Sequence, residues 1–297
     1  MSVHRPSERS ALPRLTDRLP LGPALRVSPF CLGSVATPRT VMEAFDRGIN
    51  FFFLSADMHW PYYEQLRRGL EELLRARPGV RDRIVVGSVS YVAQPEFAVA
   101  PFHEVLEAVP GLERIDLTIV GGVLGAQTER FRSFAAHRDR GSVPGVRAVG
   151  ATFHDRAAAA ERLAADDIDI AFVRYNADFR KAEHDLFPSL AQDRRSLLYN
   201  FKTTLGYVPH TRFAELGFAE TAWRPTVTDH YRFVLTRPEI DGLLCSPRTP
   251  EEVIALERAL EAGPLSAREM KYMRCLTDLH LGRALVRKTN QETALQV

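Results

Sequence analysis

The chain has 297 residues, 45% of them hydrophobic and 26% charged, which is ordinary globular composition. A formal net charge of +2 excludes a broad basic field, so nucleic acid is not an expected partner. No apolar run reaches the ~18 residues that would suggest a membrane span, and three widely spaced cysteines with no CxxC pair point to free thiols in a reducing cytoplasm.

Residues 1–18 are basic and polar without the apolar core of a secretory signal, and are expected to form a disordered tail. "RLPLGPALRV" places Gly22 and Pro23 between apolar flanks and predicts a β-hairpin closing the bottom of the domain. Short apolar runs then recur: "RVSPFCLGS", "INFFFLS", "DRIVVGSVS", "RIDLTIVGG", "VRAVGATF", "IDIAFVRYN", "SLLYNFKTT" and "IDGLLCSP". Helical patterns separate them, among them "YYEQLRRGLEELLRA", "DRAAAAERLAADD" and "TPEEVIALERALEAG"; "ADFRKAEHDLFPSLAQDRR" is helical only in part. Strands alternating with helices predict parallel β-structure with right-handed crossovers. Eight such units predict an α/β fold, a (β/α)8 TIM barrel with an N-terminal hairpin, over residues 19–286 as one domain. Residues 287–297 are polar and expected to fray. No GxGxxG follows the first strand, which argues against a dinucleotide-binding open sheet.

A barrel of this kind carries its chemistry at the C-terminal ends of its strands. After the second barrel strand, Asp57 and His59 stand in a loop, as an acid/base pair, two metal ligands, or a local hydrogen-bonded cap. His154 and Asp155 follow the fifth strand; His154 with Asp57 and His59 could make a two-His-one-carboxylate metal site, while Asp155 alone could cap a helix. Arg174 and Asn176 end the sixth strand. Alternation aims Arg174 into the mouth, where it could bind a carboxylate or phosphate, or pair with an acid such as Asp57 or Asp178. Lys202 ends the seventh strand and could act as nucleophile or base, or be an exposed loop lysine. Cys245 is expected to be buried and inert, and His230 to serve packing or capping.

The ordered set "LGPALRVSPFCLGS", "AFDRGINFF", "RIDLTIV", "VRAVGATF", "VRYN" and "GPLSAREM", spanning Leu19 to Leu276, resembles the aldo-keto reductase family. The segments from Arg174 to Pro188 and from Tyr231 to Pro238 look closest to a divergent bacterial branch. The resemblance implies a (β/α)8 barrel, NADPH, and a carbonyl substrate at the C-terminal mouth. It also implies a Tyr acid tuned by a Lys–Asp pair and a His orienting the carbonyl. Here Phe53 stands at the Asp position, Met58 or Trp60 at the Tyr position, Ser88 to Ser90 at the Lys position and Gly121 or Gly122 at the His position. On the cofactor side, Thr152-Phe153 replaces Ser-Asn, Phe172 replaces Gln, and Ala255-Leu256 replaces the adenine-gripping Glu-Asn. Thr152, Tyr199 as the aromatic that stacks on nicotinamide, and Arg248 before a helix N-terminus are the remaining cofactor candidates.

Three readings follow. One is a divergent enzyme acting on a small molecule by a non-standard mechanism, with Asp57, His59 and Lys202 catalytic and Tyr63, His154, Arg174 and Asn176 binding substrate. The second is an NADPH-dependent carbonyl oxidoreductase whose acid has moved to Tyr62 or Tyr63. The third is a non-catalytic barrel serving as partner or ligand sensor.

Overall fold

The computed structural model describes residues 9–56, 60–125 and 128–282. A hairpin of β1 (Leu19–Leu21) and β2 (Leu25–Val27) precedes a closed parallel barrel. The barrel strands are β3 (Phe30–Leu32), β4 (Phe51–Ser55), β5 (Val85–Ser90), β6 (Leu117–Val123), β7 (Ala148–Phe153), β8 (Ile170–Arg174), β9 (Leu197–Phe201) and β10 (Gly242–Cys245). They neighbour one another in that order, and β10 closes onto β3. Around them run α1 (Pro38–Asp46), α2 (Glu64–Ala76), α3 (Ala100–Ala108), α4 (Thr128–Asp139), α5 (Arg156–Ala165), α6 (Ala182–Asp185), α7 (Arg212–Glu215), α8 (Val227–Leu235), α9 (Pro250–Glu261) and α10 (Ala267–His280). All eight expected barrel strands form, and the hairpin plugs the bottom with Leu21, Leu25 and Val27. Among the described residues no helix is long and apolar enough to cross a membrane.

Strand alternation divides two cores. Phe51, Phe53, Val85, Val89, Leu117, Ile119, Ile170, Phe172, Leu197, Tyr199 and Phe201 fill the barrel interior. The intervening residues, such as Phe52, Leu54, Val86, Val120 and Val173, pack outward with the helices. Small residues make room for large ones inside. A side chain on Gly242 would meet the Tyr199 ring at 2.6 Å, so the absent Cβ is what seats that ring.

The lower face is pinned by three aspartates that open strands, in "RID", "DID" and "EID". Asp116 accepts from Val86 N–H at 2.9 Å, Asp169 from Val149 N–H at 2.9 Å and Asp241 from Leu198 N–H at 2.8 Å. Each carboxylate thereby ties one strand to its neighbour. Buried carboxylates need cations: Asp116 takes Arg81 and Arg147, at 2.8 and 2.6 Å, and Asp241 takes Arg194 at 3.0 Å.

One expectation needs correction. It concerns residues 9–18, expected to be a disordered tail. Leu12 and Leu15 are buried in the outer core, and Arg9 donates to the Ile240 carbonyl. Two leucines three residues apart in a polar stretch are enough to dock it. The segment "LSAREMKYMRCLTDLH" forms α10, started by a reciprocal Ser266–Glu269 capping box. The Tyr175 to Glu183 segment serves this helix. The Tyr175 hydroxyl donates to Glu183 at 2.5 Å, and Arg274 of α10 reaches the same carboxylate at 2.6 Å.

Candidate functional site

Parallel strands leave all their C-terminal ends on one face. From β7, β8 and β9, three adjoining strands, that face receives His154, Arg174 and Lys202. Arg174 is half-buried, and its guanidinium lies 3.5 Å above the Phe179 ring centroid. Stacking holds the planar fork while leaving its N–H edges available. Lys202 is exposed, follows Phe201 and holds φ at +56°, a left-handed backbone that a lysine adopts at a cost of roughly 1–2 kcal/mol. His154 lies edge-on to the Phe201 ring at 5.8 Å between centroids. Partial desolvation first, then the charges of Lys202 and Arg174, hold the His154 pKa below the usual imidazole value. Among the described residues no carboxylate pairs with any of the three.

The floor beneath them is aromatic. Phe172 meets Phe53 at 5.6 Å and Tyr199 at 5.8 Å, both edge-on, and Tyr63 tilts over Phe53 at 6.0 Å. Tyr63 therefore belongs to the mouth, whereas Tyr62 is 72% exposed. Asp57 and His59 lie outside the described residues. Among the described residues, no three metal-binding side chains gather around an ion-sized space.

Several expected site residues are positioning residues. Asn176 is fully buried with both ends of its amide engaged. It donates to the Lys202 carbonyl at 2.8 Å and accepts from Asp178 and Phe179 N–H, both at 2.9 Å. It therefore holds the strained Lys202 backbone and shapes the turn carrying Phe179, rather than touching a ligand. Thr152 accepts from Gly122 N–H at 2.7 Å, locking a bulge at the end of β6. Tyr199 lies one layer below the mouth, fully buried, its hydroxyl donating to the Ser28 carbonyl at 2.7 Å. Phe201, two residues on, takes the upper position. Asp155 caps α5, accepting from Ala157 N–H at 2.9 Å.

One mouth residue was not singled out by sequence reasoning. Tyr91, just past β5, lays its ring against Gly121 and Gly122; a methyl group on Gly121 would stand 2.7 Å from Tyr91 Cδ1. Arg130 of α4 fixes the notch by donating to the Gly121 and Ser90 carbonyls at 3.0 and 3.1 Å. The signal was legible: an aromatic ending one strand beside a Gly-Gly ending the next.

Beside the cations, a groove of about 330 Å³ runs between the ends of β9 and β10, lined by Lys202, Tyr207, Tyr231, Ser246, Arg248 and Glu252. It is the place a dinucleotide's phosphate would be sought. Arg248 is exposed there, but its backbone N–H is taken by the Glu252 carboxylate at 2.7 Å. Glu251 and Glu252 both occupy the first turn of α9. Two carboxylates at that helix start oppose a phosphate, and the buried Tyr199 ring offers no face to a nicotinamide. Both features count against a dinucleotide in this groove.

No family model matches the chain, and no curated protein matches it. Solved structures do. An aldo-keto reductase from Bacillus halodurans, in its holo form, is 17% identical, with a TM-score of 0.67 over 88% of this chain and 96% of that one. The glycerol dehydrogenase of Gluconobacter oxydans is 15% identical, with a TM-score of 0.66 over 90% and 96%. A thermostable aldo-keto reductase solved with the inhibitor epalrestat is 15% identical, with a TM-score of 0.64 over 87% and 99%. At these identities the likeness establishes the fold, and the fold is that of the aldo-keto reductases.

Proposed function

We propose that this barrel acts on a small organic anion at its C-terminal mouth, without NADPH and without the reductases' Asp/Tyr/Lys/His set. The observation that carries this reading is the pair of cations Arg174 and Lys202, set beside His154 with no carboxylate partner among the described residues. Cations gathered without carboxylates repel one another, and a bound anion relieves that repulsion. Arg174 is the anchor, its fork suited to a carboxylate. Lys202 supplies a second charge. His154, held neutral near pH 7 by its surroundings, is a proton acceptor within the same cluster. Asp57 and His59 are the further acid/base candidates of the neighbouring loop.

The residues at the α9 start favour this over hydride transfer from NADPH. Fluorescence titration with NADPH should show no saturable binding, while carboxylates should bind in competition with one another. Saturable NADPH binding would return the protein to the carbonyl reductases, with Tyr63 as the seated phenol. Catalysis is tested with a 2-oxo acid in D2O: proton abstraction exchanges its C3 hydrogens, and the D57N/H59N and H154N variants identify the base. Anion binding with no exchange or turnover would leave a ligand-binding barrel.

A further inference from the structure

The mouth is polarised. Its cations, Arg174 and Lys202, stand at the ends of β8 and β9, whereas the loops after β5 and β6 expose apolar side chains. Tyr91 is 37% exposed in the Gly121–Gly122 notch, and Phe97 and Leu124 are each 64% exposed. The turn carrying Phe97 packs against α4, and Leu124 leads into that same helix. Single exposed apolar residues are common on any surface; here three fall on two adjoining strand-end loops, one of them packed into a glycine notch, and make that side of the mouth apolar. In the closed order of strands, β5 lies directly across the barrel from β9, so the strand end that leads into Tyr91 stands opposite the one that leads into Lys202.

We infer that the ligand of this mouth is amphipathic, with its carboxylate on Arg174 and Lys202 and its alkyl or aryl body on Tyr91, Phe97 and Leu124. This rests on the reading of the mouth as an anion site and adds the chemistry of the rest of the molecule. A small hydrophilic acid would leave the apolar half uncovered. A neutral apolar compound would leave the cations unpaired. An alkyl or aryl carboxylate satisfies both halves, lying above the buried Phe53, Phe172 and Phe201 of the barrel interior.

Ligand-observed NMR with straight-chain carboxylates from propanoate to octanoate, together with 4-phenylbutanoate, tests it on the full chain. Full burial of a methylene is worth up to about fourfold in affinity, so affinity should climb about two- to fourfold per carbon. The octanoate-to-propanoate ratio should collapse in F97S/L124S, whose replaced side chains are each 64% exposed. R174Q should weaken every member by a similar factor and leave the ratio intact. Equal affinity along the series, or a ratio untouched by F97S/L124S, overturns the amphipathic ligand while leaving the anion site standing. No effect of R174Q on any member removes the anion site itself. Co-sedimentation with phosphatidylglycerol vesicles in place of saturable binding to monomeric carboxylates would reassign the patch to a membrane surface and overturn the inference.

Discussion

Replacing Arg174 by glutamine isolates the anchoring charge. Glutamine keeps the polar character and much of the length of the side chain, but removes the cation and the fork. Because no carboxylate among the described residues pairs with Arg174, the substitution orphans no buried charge, and the main loss is the stack on Phe179 at 3.5 Å. That contact is worth roughly 0.5–1 kcal/mol, so stability to urea should fall by no more than that. Binding should respond differently. A hydrogen bond to a charged group contributes about 1.5–3 kcal/mol, and the half-buried position places Arg174 toward the lower value because solvent screens it. At about 1.4 kcal/mol per tenfold, carboxylate affinity should fall roughly tenfold or somewhat more. Calorimetric titration reads the affinity and urea unfolding reads the stability. A loss of ~3 kcal/mol or more in stability with unchanged carboxylate affinity would mark a structural ion pair and refute the assignment.

Two predictions concern the frame around the site. His230 is buried beside Tyr207, its Nδ1 has no hydrogen-bond partner, and burial pushes its pKa down to about 4. Its neutral form is the one that folds, so its contribution is intact above pH ~6.5 and is lost as pH falls through 4. Wild type should therefore lose about 3 kcal/mol more than His230→Phe between those limits, by urea unfolding at stepped pH; parallel curves would refute it. Asp116→Ala should cost about 3–5 kcal/mol, since it leaves the buried Arg81 without its carboxylate and unties β6 from Val86. Guanidinium unfolding checks this, and a loss under ~1 kcal/mol would contradict it.

The frame was more legible than the site for physical reasons. Alternation of apolar residues located all eight strands, and with it the inward aim of Phe172. Layer height is a different matter. Tyr199 lies below the mouth because Gly242, on the adjoining strand, leaves its ring the space, a pairing set by register between strands far apart in sequence. Asn176 has the composition of a ligand residue, yet its amide is spent on a turn and on the Lys202 carbonyl, partners that exist only once β8 and β9 are side by side. The same holds for Tyr91, whose meaning comes from the glycines on the next strand. The two docking leucines of the N-terminal stretch were masked by the polar residues around them.

At issue is whether an organic anion sits among His154, Arg174 and Lys202. The most direct measurement is the pH titration of the His154 ring resonances by NMR, with and without saturating propanoate. Free, the imidazole titrates below its usual value, with burial and the two neighbouring cations opposing its protonation. An anion held between those cations offsets their charge, so the His154 pKa should rise on binding while that of His230 stays where it is. A His154 titration unmoved by saturating carboxylate would place any bound anion elsewhere and contradict the account.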